Sequence, residues 1–296
     1  MSSLTFDAAL SQQSASATVN FQHTSYFKSP SVAFPMAPLP PPEAVLSQYP
    51  KNPLGVVHFE NLGVVVKPSD EHSQVTKAIR RAFPGNEVPV PELYGWKTYE
   101  GRNFIYMSQM PGMTLKEAWA NLSLTEKQSV TAQIGHIVSA LRDIPHPSCY
   151  PYIGSISHGR VQDLYFRGDP EASGPFQNVK EFNDHVQLLS VPESLRSDQI
   201  EDPYRHLLPD TGNICFTHAD LHLDNIMVSS SHPRKITGIL DWEQCGWYPE
   251  YWEYCKLHLN SPWSHEWRKE GFADSVTERH EAELDAIGEY WHWRRP

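Results

Sequence analysis

Phe216-Thr-His-Ala-Asp-Leu-His-Leu-Asp-Asn-Ile-Met-Val228, with Ile239-Leu-Asp-Trp-Glu243 shortly after it, decides how this chain is read. Ile226-Met-Val228 and Ile236-Thr-Gly-Ile-Leu240 are apolar, β-branched runs separated by a polar, Pro-containing stretch, Ser229 to Lys235, which predicts a β-hairpin. Hairpin strands are antiparallel, so Asn225 just before the first and Asp241 just after the second emerge at the same open end. Asp220 lies on a loop entered from the apolar run Ile214-Cys-Phe216, and its carboxylate can face that opening. A carboxylate to accept the proton of an attacking hydroxyl, with two oxygen ligands for a cation that neutralises phosphate charge, is the set that phosphoryl transfer needs. Oxygen-only ligation suits Mg2+ better than zinc, which takes Cys or His.

The pattern His218-x-Asp220-x4-Asn225 with Asp241-Trp-Glu243 resembles the aminoglycoside phosphotransferase and choline kinase family of the kinase-like fold. Gly246-Trp-Tyr-Pro-Glu-Tyr-Trp-Glu-Tyr254 and Glu181-Phe-Asn-Asp184 resemble its fungal branch, and the resemblance runs from about residue 56 to the end. It implies an α+β, bilobal, protein-kinase-like fold with a small β-sheet N-lobe and a larger, mainly α-helical C-lobe. The implied activity is ATP- and Mg2+-dependent phosphoryl transfer to a hydroxyl of a small molecule. By the same resemblance Asp220 is the catalytic base, Asn225 and Asp241 hold Mg2+, and His218 braces the loop rather than reacting. Lys67, closing the strand-like run Gly63-Val-Val-Val-Lys67, stands where the family's lysine meets the α- and β-phosphates of ATP, a role that suits a flexible point charge. The inter-lobe linker Ile105-Tyr-Met-Ser-Gln-Met-Pro-Gly112 places Ser108 and Met110 at the adenine, which such linkers bind largely through backbone groups; Ser108 replaces the usual acidic residue.

One departure concerns the helix carboxylate that normally pairs with the phosphate-binding lysine. Gln74 to Phe83 reads as the corresponding helix, yet offers Val75, Thr76 and Lys77 where a Glu is expected, and Glu71 comes too early. That gap, with the long Pro-rich N-terminal stretch, defines the alternative reading: a nucleotide-binding pseudokinase or interaction module. A competing chemical reading takes His218, Asp220, His222 and Asp224 as the metal cluster of a hydrolase, but His232, His258 and His265 complete no ligand set at definable spacing. His222 is then a packing or hydrogen-bonding residue of the loop. Protein phosphorylation is disfavoured, because Ala219 stands where a regulated protein kinase carries the Arg that catches an activation-loop phosphate. The aromatic segment from Trp247 to Trp252 also follows Asp241 too soon for a peptide-docking loop. A small-molecule acceptor follows.

The 296 residues, 40% hydrophobic and 20% charged, suffice for two lobes with proper cores. A formal charge of -11 argues against nucleic acid as a partner and is compatible with a cationic acceptor. The four cysteines, Cys149, Cys215, Cys245 and Cys255, show no CxxC spacing and read as reduced and intracellular. No run approaches the roughly twenty apolar residues of a membrane span, and no targeting segment fits, so a cytoplasmic protein is expected. Residues 1–50, Ser/Gln/Ala-rich and then Pro-rich, read as a flexible arm, 51–111 as the N-lobe and 112–296 as the C-lobe. Capping boxes at Thr114/Glu117 and Ser123/Glu126 predict two helix starts, the second leading an apolar stripe of Val130, Ile134, Ile137, Val138 and Leu141. A last helix is expected from Glu278 to Trp293, and Trp247, Trp252 and Trp263 are candidate walls of an acceptor pocket.

Overall fold

The computed structural model describes residues 19–21, 39–48, 55–69, 88–167, 173–191 and 202–294. The helix expected from Gln74 to Phe83, and Glu71, lie outside the described residues. The fold is α+β and divides into two compact units, residues 1–72 with 91–109, and 73–90 with 110–296.

The first unit is a five-stranded antiparallel sheet in the order β1-β4-β5-β3-β2. Its strands are β1 (Val19–Phe21), β2 (Val57–Phe59), β3 (Val64–Ser69), β4 (Leu93–Tyr99) and β5 (Arg102–Ser108). Tyr99 pairs with Arg102 across a two-residue turn, where Glu100 and Gly101 take positive φ of 48° and 75°. That backbone matches the right-handed strand twist, which explains a Gly at the second turn position. β3 alternates as its sequence suggests: Val64 and Val66 are fully buried, while Val65 and Lys67 alternate with them on the opposite face, Lys67 paired with Ile105. Helix α1 (Pro42–Gln48) opens on a proline, which suits a first helical turn, and its Val45 is fully buried with Val57, Val64, Val66, Tyr94, Phe104 and Tyr106. The stretch read as a flexible arm therefore contributes β1 and α1 to this unit, because Val45 and Leu46 supply an apolar face for its sheet.

The second unit is mainly helical. Helices α2 (Leu115–Trp119) and α3 (Leu124–Arg142) start at the two expected capping boxes, each with reciprocal bonds between cap hydroxyl and glutamate. The stripe of α3 is buried from Val130 to Leu141 as its spacing requires. β6 (Met113–Thr114), β9 (Ile226–Val228) and β10 (Ile236–Ile239) form one small sheet; β7 (Gly154–Ser155), β8 (Ile214–Thr217) and β11 (Gly246–Pro249) form another. Helix α4 (Val179–Ser190), α5 (Trp252–Leu259), the short α6 (Glu266–Lys269) and α7 (Glu281–Arg294) complete the unit. Its core packs Phe182 and Val186 of α4, Trp252 and Cys255 of α5 and Ile287 and Tyr290 of α7 around Tyr248 and Tyr251. The terminal helix thus begins three residues later than its pattern suggested, and its aromatic stripe is core. All four cysteines are free thiols. Among the described residues no helix is long and apolar enough to cross a membrane.

Candidate active site

The hairpin forms as the sequence predicts, Ile226 pairing with Ile239 and Val228 with Ile236, with a bulge at Thr237. Leu240 donates its N–H to the Asn225 carbonyl at 2.8 Å, so Asn225 and Asp241 stand together at the open end. Asp241 leaves β10 in the left-handed region, φ 59° and ψ 66°, which turns the chain sharply into the 3-10 turn Trp242–Gln244. A non-glycine residue held there is strained, and such strain collects at functional sites. Trp242 anchors the turn by donating its indole N–H to Ile239 O at 2.9 Å.

The loop between β8 and β9 is tied at almost every residue. His218 is fully buried; its Nε2 lies 2.9 Å from Leu240 O and its Nδ1 accepts the Asp220 N–H at 3.2 Å. Those two bonds fix the proton on Nε2 and leave no ring nitrogen for chemistry. Burial pushes the His218 pKa down from 6.5 to about 4, so the ring is neutral. Ala219 takes a positive φ of 64°, and Glu253 of α5 holds this bend: its Oε2 accepts the N–H of His218 at 2.7 Å and of Ala219 at 3.4 Å. Glu253 is itself buried, and burial pushes its carboxyl up to about 7.

Asp220 is reached by one amide on each oxygen. Asn225 Nδ2 donates to Oδ2 at 3.1 Å, and also to the Asp220 carbonyl at 2.9 Å; Asn260 Nδ2 donates to Oδ1 at 2.9 Å. Its pKa is pushed up to about 7, chiefly by burial, with Lys256 pulling down and Asp241 and Asp163 pushing up. A carboxylate in this range is a competent proton acceptor near neutral pH. Because Asn225 commits its amide hydrogens to Asp220, its carbonyl oxygen Oδ1 is the group left to meet a cation, beside the Asp241 carboxylate. This oxygen-only donor set at one hairpin end fits a hard divalent ion.

His222 accepts the Asp224 N–H on Nδ1 at 3.2 Å, while its Nε2 lies 3.2 Å from Asn225 Nδ2 and 3.8 Å from Asp220 Oδ1. It is a loop hydrogen-bonding residue. Among the described residues no group of three or more His, Cys, Asp or Glu side chains gathers around a metal position, which removes the support for a hydrolase cluster.

Beneath the loop lies an ion pair with side-chain exposures of 1% and 0%, Lys256 Nζ to Asp163 Oδ1 at 2.9 Å. Asp163 also accepts the Trp252 indole N–H at 2.9 Å and the Tyr165 N–H at 2.8 Å, so the buried charges are well partnered. Glu253, Lys256 and Asn260 were not singled out in the sequence, yet their spacing of i, i+3 and i+7 puts them on one side of α5. A polar stripe inside the aromatic run from Tyr251 to Leu259 was the available signal. Trp247 and Trp252, expected at a pocket wall, are core residues instead, 4% and 0% exposed. Trp263 is 78% exposed and is covered on one side by the Arg268 guanidinium at 4.5 Å.

Lys67 and Ser108 belong to the first unit, Met110 to the second. Ser108 locks the sheet: its N–H donates to Glu92 O and its Oγ accepts the Glu92 N–H, both at 2.8 Å. Met110 is half-buried and lies so close to Gly238 of β10 that a Cβ there would come within 2.8 Å of its Cγ.

The profile of the phosphotransferase enzyme family (APH) matches residues 68–295. Solved structures similar to the chain include a thermostable mutant of aminoglycoside phosphotransferase APH(4)-Ia without ligand, 14% identical, TM-score 0.49, covering 76% of this chain and 77% of that one. Another is aminoglycoside phosphotransferase APH(3'')-Id from Streptomyces rimosus, 16% identical, TM-score 0.47, covering 80% and 87%. The same enzyme in complex with ADP and streptomycin is 15% identical, TM-score 0.45, covering 83% and 97%. No protein with a curated description matches.

Proposed function

The chain belongs to the phosphotransferase enzyme family, and on that premise we propose that it transfers the γ-phosphoryl group of ATP to a hydroxyl of a small molecule. The observation that carries this reading is the Asp220 carboxylate, held on both oxygens by amide donors beside the hairpin end where Asn225 and Asp241 stand. The acceptor oxygen bonds to the γ-phosphorus, the bond from that phosphorus to the β,γ-bridging oxygen breaks, ADP leaves, and the acceptor proton passes to Asp220. Asn225 Oδ1 and the Asp241 carboxylate would hold Mg2+, which when bound neutralises phosphate charge. Lys67 is the proposed contact to the nucleotide phosphates, and the segment Ser108 to Met110 the proposed contact to the base. His218 and Glu253 fix the loop so that little reorganisation is needed at reaction.

Within the family, the motifs liken the chain to the aminoglycoside and choline kinase group. The formal charge of -11 favours a cationic acceptor, drawn in by a negative surface. The relative from Streptomyces rimosus was solved with streptomycin, which makes aminocyclitols reasonable first probes.

The test measures ADP release from ATP and Mg2+ by the full-length protein with streptomycin, hygromycin B, choline and glycerol as acceptors. At least one acceptor is expected to raise ADP release, and Asp220→Asn to lower it by about 10²-fold or more. Thermal stabilisation by ATP with Mg2+ should weaken in Asp241→Ala. Unchanged turnover in Asp220→Asn would sink the assignment of the base, and absence of ATP stabilisation in the wild type would sink nucleotide binding.

A further inference from the structure

A carboxylate that accepts a proton in a transition state must present one lone pair in a fixed direction, and that direction is set by the donors on its two oxygens. In Asp220 the two donors come from different places. Asn225 bonds Oδ2 from within the loop itself, five residues on. Asn260 bonds Oδ1 from outside it, at the C-terminal end of α5.

Asn260 is well placed to define a direction. Its N–H is held by Lys256 O at 3.0 Å, in the last turn of the helix. Two turns earlier the same helix carries Glu253, which grips the backbone of His218 and Ala219. Between them Lys256 is clamped by Asp163 in the core. Beyond Asn260, Arg268 reaches back to the Ser261 carbonyl at 3.3 Å and stacks on Trp263, bracing the chain on the far side as well. The backbone that carries Asn260 is therefore held on both sides, and it lies outside the loop to which Asp220 and Asn225 belong.

We propose that Asn260 is a positioning residue for the transfer reaction: its amide fixes the plane of the Asp220 carboxylate by holding Oδ1, while Asn225 holds Oδ2 and faces the cation. This rests on the assignment of Asp220 as base made above. Without Asn260 the carboxylate pivots on Asn225 alone, and a displacement of about 1 Å at a reacting group costs on the order of 10²-fold in rate. Nucleotide binding, which does not pass through Asp220, is unaffected.

The experiment compares wild type, Asp220→Asn, Asn260→Leu and Asn260→Gln as full-length proteins, using ADP release with the acceptor panel above. Asn260→Leu keeps the bulk but removes the donor; Asn260→Gln keeps an amide. The expected result is a fall in kcat of about 10-fold to 10²-fold in Asn260→Leu, with KM for ATP and thermal midpoint near wild type, and recovery to within a few-fold in Asn260→Gln. With Asp220→Asn inactive, a kcat in Asn260→Leu within about two-fold of wild type overturns the positioning role and leaves the proposed function standing. A parallel loss of kcat, ATP affinity and thermal midpoint overturns it too, because that is the signature of a residue that only supports the fold. If Asp220→Asn keeps wild-type turnover, or no acceptor raises ADP release, the base assignment fails and the positioning role fails with it.

Discussion

Glu253→Gln and Glu253→Ala, followed by urea unfolding between about pH 4 and about pH 8, separate two buried titrating groups, the Glu253 carboxyl and the imidazole of His218, whose backbone N–H that carboxyl accepts. His218 is neutral in the fold, with its pKa pushed from 6.5 to about 4 by burial. A depressed pKa contributes stability that is present above 6.5 and lost as pH falls through about 4; the gap corresponds to about 3 kcal/mol. Glu253 runs the other way. Its carboxyl is pushed from 4.5 to about 7 by burial, so its contribution is present below 4.5 and lost as pH rises through about 7, again by about 3 kcal/mol. In the wild type the two slopes largely cancel. Glu253→Gln keeps an acceptor for the His218 and Ala219 N–H groups and removes the titration, so its stability relative to wild type should grow by about 3 kcal/mol from about pH 4.5 to about pH 7. Depressed carboxyls elsewhere, such as Glu126, Asp184 and Glu266, are common to both proteins and drop out of the difference. Glu253→Ala removes the titration and the acceptor together. It strands two buried N–H groups, bonded at 2.7 and 3.4 Å in the wild type, and should lie below Glu253→Gln by about 2–4 kcal/mol at every pH. A pH-independent difference between Glu253→Gln and wild type would refute the buried carboxyl, and equal stability of the Ala and Gln variants would refute its bonds to the loop.

Three further outcomes follow from the geometry. Gly112 has a φ of 105° and a Cβ there would meet Val228 O at 2.0 Å; Gly112→Ala should therefore cost at least about 2 kcal/mol in unfolding free energy, from strain and from separation of β6 and β9. Lys256→Met leaves the Asp163 carboxylate buried with its cation removed, and should destabilise by about 3–5 kcal/mol; adding Asp163→Asn should recover most of it in a double-mutant cycle. Val45→Ala opens a gap under α1 and should cost about 1–2 kcal/mol, with faster protease cleavage near residues 42–48 if the helix is docked through that side chain.

The parts of the site that the sequence disclosed are those set by local chemistry. A turn with its own breakers places Asn225 and Asp241 at one hairpin end, and Asp220 is carried by the same short loop, so nothing distant has to be known. The capping boxes at Thr114 and Ser123 and the stripe of α3 are equally local. Glu253 and Asn260 were not legible in that way, because they reach the loop from 34 to 40 positions away in sequence, and only the tertiary fold brings α5 to it. The aromatic residues misled for a related reason. Trp247 and Trp252 carry both a large apolar surface and a donor, and only the tertiary arrangement decides that Trp252 turns its N–H to Asp163 and buries the rest. Val45 belongs to the same class: in a Pro-rich context a single apolar face looks like linker until a sheet is found for it.

α5 explains why these distant residues matter together. A helix packed among Phe182, Tyr248 and Tyr251 would be apolar on every side if its only task were to fill the core. Instead one side carries Glu253, Lys256 and Asn260, each meeting a different partner: the backbone of the loop between β8 and β9, the buried Asp163 and the Asp220 carboxylate. Each buried polar group costs stability unless its bonds are made, so the stripe stabilises only when all three partners are in place. The helix therefore selects one arrangement of the loop over its alternatives, holding Ala219 at a positive φ that the residue would not adopt alone. Orientation of the proposed base is in this way a property of the core, and substitutions along the stripe should move stability and rate by different amounts, with Glu253 and Lys256 felt mainly in unfolding and Asn260 mainly in kcat.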